Sequence, residues 1–418
     1  MSVRFPLQPS TIDPAAPALD TPNQAALIRA VFEGADGVAL VRARLSHLQA
    51  HPEDGGGFIA LGTLYQLIGR RDEALACQDA AFLHGRVFRE APSPVQTPTF
   101  TLLVFVTHGD LMTNTPIELL LEGRPVQVLR LYVDADLPLP AAVPEHDLAM
   151  IAISEADATR PLLERLRGLD WPRPLINDAG AILDLGRDRL WRKLEGVEGL
   201  DLPATVRAPR GELGLVVTKT LGLTDVLPGA AFPLLVRPVG SHAGQSLARI
   251  DGFSALKAYL DRNPAELFYV SRFVDYAGHD GRFRKYRVAM FDGRPYIAHM
   301  AVGDHWMVHY LNAGMAESAQ KRADEAAAMA GFEHGFAVRH AGALAEIGRR
   351  LGLDYFALDC AETRDGELLV FEADVGMIVH ALDPEALYPY KKPQMEKVFA
   401  AFEAMLRRKA LGRKALAG

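Results

Sequence analysis

From Gln24 to Arg89 apolar residues recur at helical spacing, interrupted by glycines and by Pro52-Glu53-Asp54. The pattern predicts antiparallel helices, with Gly62 and Ala74 small enough to let two of them approach closely. At Ala91–Thr99 (APSPVQTPT) the periodicity stops in a Pro-rich linker. Thr101–Thr107 is then a continuous apolar, β-branched run, as expected of a strand buried on both faces. Further strands are expected at Pro125–Val133, Asp147–Ile153 and Pro174–Ile176, with helices near Pro116–Glu122 and Ala158–Gly168. This alternation predicts a small α/β domain over 98–178. Beyond it, an apolar strand opens the segment 232–250, strand-like runs follow at 268–273, 285–291 and 295–301, and two strands joined by the turn Thr363–Gly366 lie within 353–380, with Asp292-Gly293 reading as a hairpin. Residues 1–20 are Pro/Ala-rich without periodicity and are expected to be a flexible leader.

Composition narrows the classes. Apolar residues make up 49% and charged residues 23% of the 418, which is globular rather than disordered, and the length implies more than one domain. A net charge of −7 excludes a broadly basic nucleic-acid or membrane-surface protein. No apolar run reaches the roughly 18 residues needed to span a bilayer. The two cysteines, Cys77 and Cys360, fall in different expected domains, which fits a reducing compartment, and a cytoplasmic location is expected. In the helical segment, Phe58, Leu61, Gly62 and Tyr65 resemble the first helix of a tetratricopeptide repeat, and Ala74 and Ala81 its second. Leu27 and Val31 fall 34 residues before Leu61 and Tyr65, as a weaker copy would. The segment 21–92 is therefore expected to be a repeat-like helical domain able to take a protein or peptide partner.

Candidate chemistry concentrates in the last 240 residues. Arg237 ends an apolar strand and leads into the loop Gly240–Gly244, whose small residues let backbone N–H groups approach phosphate. Arg287 lies inside a strand among apolar residues and needs an anionic partner, a carboxylate or a phosphate. Asp359 ends one apolar run, while Glu372 and Asp374 end the next at i, i+2 spacing and so share a strand face. Three converging carboxylates need a cation, and hard oxygen donors suit Mg²⁺. In the α/β domain, His108 and Asp110 occupy a loop at the carboxyl end of a strand, where ligands bind in open sheets. His309 and His380 are candidates for an acceptor pocket; their spacing relative to His299 and His305 does not form a zinc pattern.

The order of these segments resembles the ATP-grasp ligases, in particular the branch of glutathione synthetase and the RimK-like ligases. Asp188-Arg189 followed by Leu202-Pro203-Ala204, Lys285-Tyr286-Arg287 with Asp292-Gly293, and HYLNAGM at His309–Met315 are similar to that family's motifs. The resemblance implies an α+β ATP-grasp fold over 179–410, with two subdomains clamping ATP, preceded by the α/β domain. It also implies that Arg189 and Arg237 grip ATP phosphates and that Gly240, Ser241 and Gly244 belong to the mobile loop above them. The backbone from Tyr269 to Phe273 would hold adenine. Asp359, Glu372 and Asp374 would bind Mg²⁺ (two ions, with Mn²⁺ as a substitute), and Arg287 and Asn312 would serve the reacting phosphate. Two arginines replace the family's lysines, and Asp374 replaces its usual asparagine.

The function so implied is amide formation from a carboxylate and an amine, small or peptidic, through an acyl phosphate. A ligase modifying a peptide held by the helical domain, and a non-catalytic nucleotide-binding scaffold, are the alternatives. The family allows a homodimer.

Overall fold

The computed structural model describes residues 11–92, 96–241 and 244–412. The architecture is mixed α+β, and the contacts divide it into two units. One takes in the chain up to Leu183, Leu353–Ala357 and everything from Asp374 on; the other holds Asp184–Gly352 and Leu358–Ala373. No helix among the described residues is long and apolar enough to cross a membrane.

In the first unit a six-stranded sheet runs in the order Leu19–Thr21, Val87–Glu90, Val126–Tyr132, Phe100–Val106, Leu148–Ile151, Leu175–Ile176. Its strands pair in parallel except for Val87–Glu90 with Val126–Tyr132. Residues 102–105 are fully buried, as a strand covered on both faces requires. The expected leader over 1–20 is corrected from residue 11 onward. Thr11–Ile12 pairs with Ala142–Val143, and Leu19–Thr21 extends the large sheet. A sheet edge recruits a neighbour through backbone N–H and C=O groups, which leave no hydrophobic period in the sequence. Residues 1–10 lie outside the described residues.

Helices Gln24–Phe32, Gly37–Ala50, Gly55–Leu67 and Arg71–Phe82 form the expected helical segment. At Gly62 an added Cβ would stand 3.1 Å from the Ala74 carbonyl oxygen, so the last two helices do use that small-residue contact. Gly56 is tighter still: a Cβ there would meet the Asp20 carbonyl oxygen at 1.8 Å. The helices are thus packed on the sheet rather than forming a separate body over 21–92. The linker does not separate them either, because Glu90, just before it, is buried and accepts from Arg130 (2.6 Å) and from the Gln24 N–H (2.9 Å).

The second unit contains two sheets. Thr205–Pro209, Leu267–Arg272, Leu234–Pro238 and Ala248–Ile250 form an antiparallel sheet in that order. Its core gathers Leu213 and Val216 from helix Arg210–Val217, Leu256 and Leu260 from helix Phe253–Arg262, and Phe268 and Val270 from the sheet. The other sheet runs Arg294–Gly303, Phe283–Phe291, Tyr355–Glu362, Leu368–Asp374, Leu200–Asp201. Asp292 and Gly293 both have positive φ (46° and 74°), the geometry of a tight hairpin whose twist matches its strands.

Candidate functional site

The five-stranded sheet sets Phe283–Phe291, Tyr355–Glu362 and Leu368–Asp374 side by side, so their residues meet across strands. Lys285 and Arg287, two apart on one strand, share a face. Both reach Asp359 on the next strand: Lys285 Nζ lies 2.7 Å from Oδ2, while Arg287 donates from Nε (2.8 Å) and Nη2 (3.0 Å) to the two carboxylate oxygens. The register shifts between Arg287 and Val288, and such a bulge re-aims the side chain beside it. Asp359 is 1% exposed. Burial alone would raise its pKa, but Arg287 and Lys285 outweigh that and hold it well below the usual carboxylate range.

One strand further, Glu372 is paired with Arg187, which also donates to the Phe371 carbonyl. Burial raises the Glu372 pKa, Arg187 lowers it, and Asp359 pushes it up again; the net shift is downward. The two carboxylates therefore lie within electrostatic reach of each other. From the antiparallel sheet comes Arg237, 9% exposed. It donates to Ser241 Oγ (3.1 Å) and to the Ser241 carbonyl, but no carboxylate lies within salt-bridge distance of it among the described residues. Its pKa is pushed down to about 10, first by burial and then by Arg187, with Glu372 pulling the other way. Tyr269 faces Arg237 across the strand pair and accepts from Arg207, itself 3.2 Å from Asp188. His309 is half-buried; burial, Lys285 and Arg287 depress its pKa, opposed by Asp359 and Glu372, which puts it beside the same cluster.

This unit therefore gathers four cations (Arg187, Arg237, Lys285, Arg287) around two carboxylates, with Ser241 turning the glycine loop back onto Arg237. The excess positive charge has the sign that a multiply charged anion would complement.

No protein-family model matches the chain, and no curated protein matches it significantly. Several solved structures do. The RimK domain ATP-grasp protein of Sphaerobacter thermophilus is 15% identical, covering 72% of this chain and 98% of its own, with a TM-score of 0.40. The VanG D-Ala:D-Ser ligase of Enterococcus faecalis is 10% identical, covering 74% and 99%, at 0.46. D-alanyl-alanine synthetase A of Vibrio cholerae is 12% identical, covering 76% and 98%, at 0.44. Likeness at this level does not assign the chain to a family.

The other expected site residues are distributed as follows. Among the described residues no group of three or more His, Cys, Asp or Glu is drawn together as the expected trio Asp359, Glu372 and Asp374 would be. Asp359 and Glu372 are compensated by cations, and Asp374 Oδ1 accepts from the Gly376 N–H (3.1 Å) in a local turn within the first unit. The arginine found at the carboxylates is Arg187. Arg189, two residues along helix Arg187–Leu194, is half-buried. Gly240 and Gly244 both have positive φ (78° and 73°), and a Cβ on Gly244 would lie 3.4 Å from the Met307 sulfur. His242 and Ala243, between them, lie outside the described residues. Phe273 packs edge-on against Trp306 and under the Arg249 guanidinium; its N–H donates to the Pro233 carbonyl. Asn312 is exposed on a short 3₁₀ turn, Tyr310–Asn312.

In the first unit, the loop expected to contact substrate is instead gripped by helix Arg71–Phe82. Gln78 donates to the Gly109 carbonyl (2.7 Å) and accepts from its N–H (3.0 Å), Arg71 pairs with Asp110 (3.1 Å), and His108 lies 3.4 Å from both the Leu75 carbonyl and Asp79. Gln78→Ala strands two backbone groups and should cost about 1–3 kcal/mol; an unchanged urea midpoint would contradict this packing. His380, also in this unit, accepts from the Leu382 N–H and lies near Phe32.

Lys285 and Arg187 are the residues sequence reasoning missed. The first was legible: it sits two positions from Arg287, on the same strand face. The second depends on how a helix docks and had no local signal.

Proposed function

We propose that the second unit is an ATP-grasp nucleotide site and that the chain is an ATP-dependent carboxylate–amine ligase. The observation that carries this reading is Arg237, a buried guanidinium with no carboxylate partner among the described residues, next to the Lys285–Asp359–Arg287 and Arg187–Glu372 pairs. A buried, uncompensated cation is costly to keep, and a polyphosphate would repay that cost.

On this reading Arg237 and the Ser241 turn receive the phosphate chain, and Arg187 and Lys285 add charge along it. The base would sit at the end of the strand Leu267–Arg272, whose backbone at 269–271 is already paired with Thr205–Pro209 and Leu234–Pro238. Arg287 stabilises the negative charge that develops as a substrate carboxylate attacks the γ-phosphate, and again as an amine attacks the acyl phosphate. His309, whose pKa is depressed first by burial and then by Lys285 and Arg287, is biased toward its neutral form and can accept a proton from the attacking amine. Gly244 and the turn around Met307, which stands against it, would exclude water from the intermediate.

The oxygen-only donor set fits Mg²⁺, which commonly takes one or two carboxylates together with substrate phosphates, so Asp359 and Glu372 would hold it without a third protein ligand. When bound, the ion neutralises phosphate charge. Asn312 remains a proposed contributor to the reacting phosphate.

The decisive assay is ADP release with Mg²⁺ across amino acids, dipeptides and longer peptides. Carboxylate-dependent ADP is expected, falling roughly 10²–10³-fold in Arg287→Met. Tight ATP binding with no carboxylate-dependent ADP anywhere in the panel would overturn the ligase reading in favour of a scaffold. Activity confined to long peptides would assign the helical segment a role in recognition.

A further inference from the structure

Asp359 carries two cations where one would balance it, and the two are not equivalent. Arg287 engages both carboxylate oxygens from two nitrogens, a planar, two-point fit. Lys285 makes a single contact, from Nζ to Oδ2, at the end of a flexible four-carbon stem. The imbalance extends to the surroundings. Glu372 has its own partner in Arg187, and Arg237 has none among the described residues, so the cluster holds four cations to two carboxylates. A divalent cation approaching this cluster meets net positive charge and carboxylate oxygens already engaged. A polyphosphate meets the reverse.

We propose that Lys285 is a switch cation: without nucleotide it occupies Asp359, and when a polyphosphate arrives it moves to a phosphate oxygen, so the divalent cation binds after the nucleotide and not before. The inference rests on the nucleotide-site reading above and adds to it an order of binding and a residue that sets the order. Arg287 keeps Asp359 oriented throughout, and the lone pair of Oδ2 that Lys285 held becomes available as Lys285 leaves it. Lys285 is in this sense a positioning residue, acting on the metal through Asp359.

The test uses the full chain and reads Mn²⁺ directly, by the paramagnetic signal of the free ion, with and without a non-hydrolysable ATP analogue. Wild type should bind Mn²⁺ at least roughly tenfold more tightly with the analogue present than without it. Lys285→Met should bind Mn²⁺ without nucleotide roughly tenfold more tightly than wild type, and Lys285→Arg should restore the weak binding. Thermal melts of each variant establish that the chain is folded. Equal Mn²⁺ affinity with and without bound analogue, or a Lys285→Met variant that binds like wild type, overturns the switch alone. Failure of the analogue to bind wild type overturns the nucleotide-site reading, and the switch with it.

Discussion

Asp359→Ala is expected to cost about 3–5 kcal/mol of folding stability and to abolish ADP release. The reason is the company Asp359 keeps. At 1% exposure, with Lys285 and Arg287 within 3.0 Å, its removal leaves two cations on a buried strand face with no carboxylate between them. Asp359→Asn retains the shape and one acceptor oxygen but loses the charge and turns an NH₂ toward a cation, so it should lose less stability than Asp359→Ala while still losing activity. Denaturant midpoints and ADP release, measured on both variants, check the pair. A fully stable Asp359→Ala would mean that the two cations find other partners. An active one would remove Asp359 from the reaction.

Arg237→Met should behave in the opposite sense. A cation whose folded pKa is lowered, here to about 10, destabilises the fold at every pH below that value, because the folded state holds the proton less well than the unfolded chain. Replacing it by an apolar side chain of similar length should leave stability unchanged or raise it by on the order of 1 kcal/mol. Nucleotide binding should weaken by about 1.5–3 kcal/mol, or roughly 10–100-fold, with the loss of a charged hydrogen bond. Thermal melting and calorimetric titration with an ATP analogue measure the two effects separately. A large loss of stability would assign Arg237 to holding the Ser241 turn instead of to ligand binding. The contrast between the two substitutions separates a group the fold needs from one retained for a ligand.

Much of this protein could be read along the chain, because periodicity and turn chemistry are local. The runs at 101–107 and 285–291, the Asp292-Gly293 hairpin, the close helix contact at Gly62 and the carboxylates closing two strands all follow from side-chain period and backbone preference. The cations at 237 and 287 were legible too, since charges in apolar strands demand a partner. Which partner they take was not. Arg287 meets Asp359 only because the sheet sets strands 72 residues apart side by side, and Arg187 rather than Arg189 reaches Glu372 because of how one helix docks. Likewise, the loop at 108–110 looked open to substrate until helix Arg71–Phe82 was seen to fill it with Gln78. Residue types and their spacing were enough to locate the charged groups. Their pairing depends on distances through space, so tertiary structure alone decided which cations Asp359 and Glu372 take as partners.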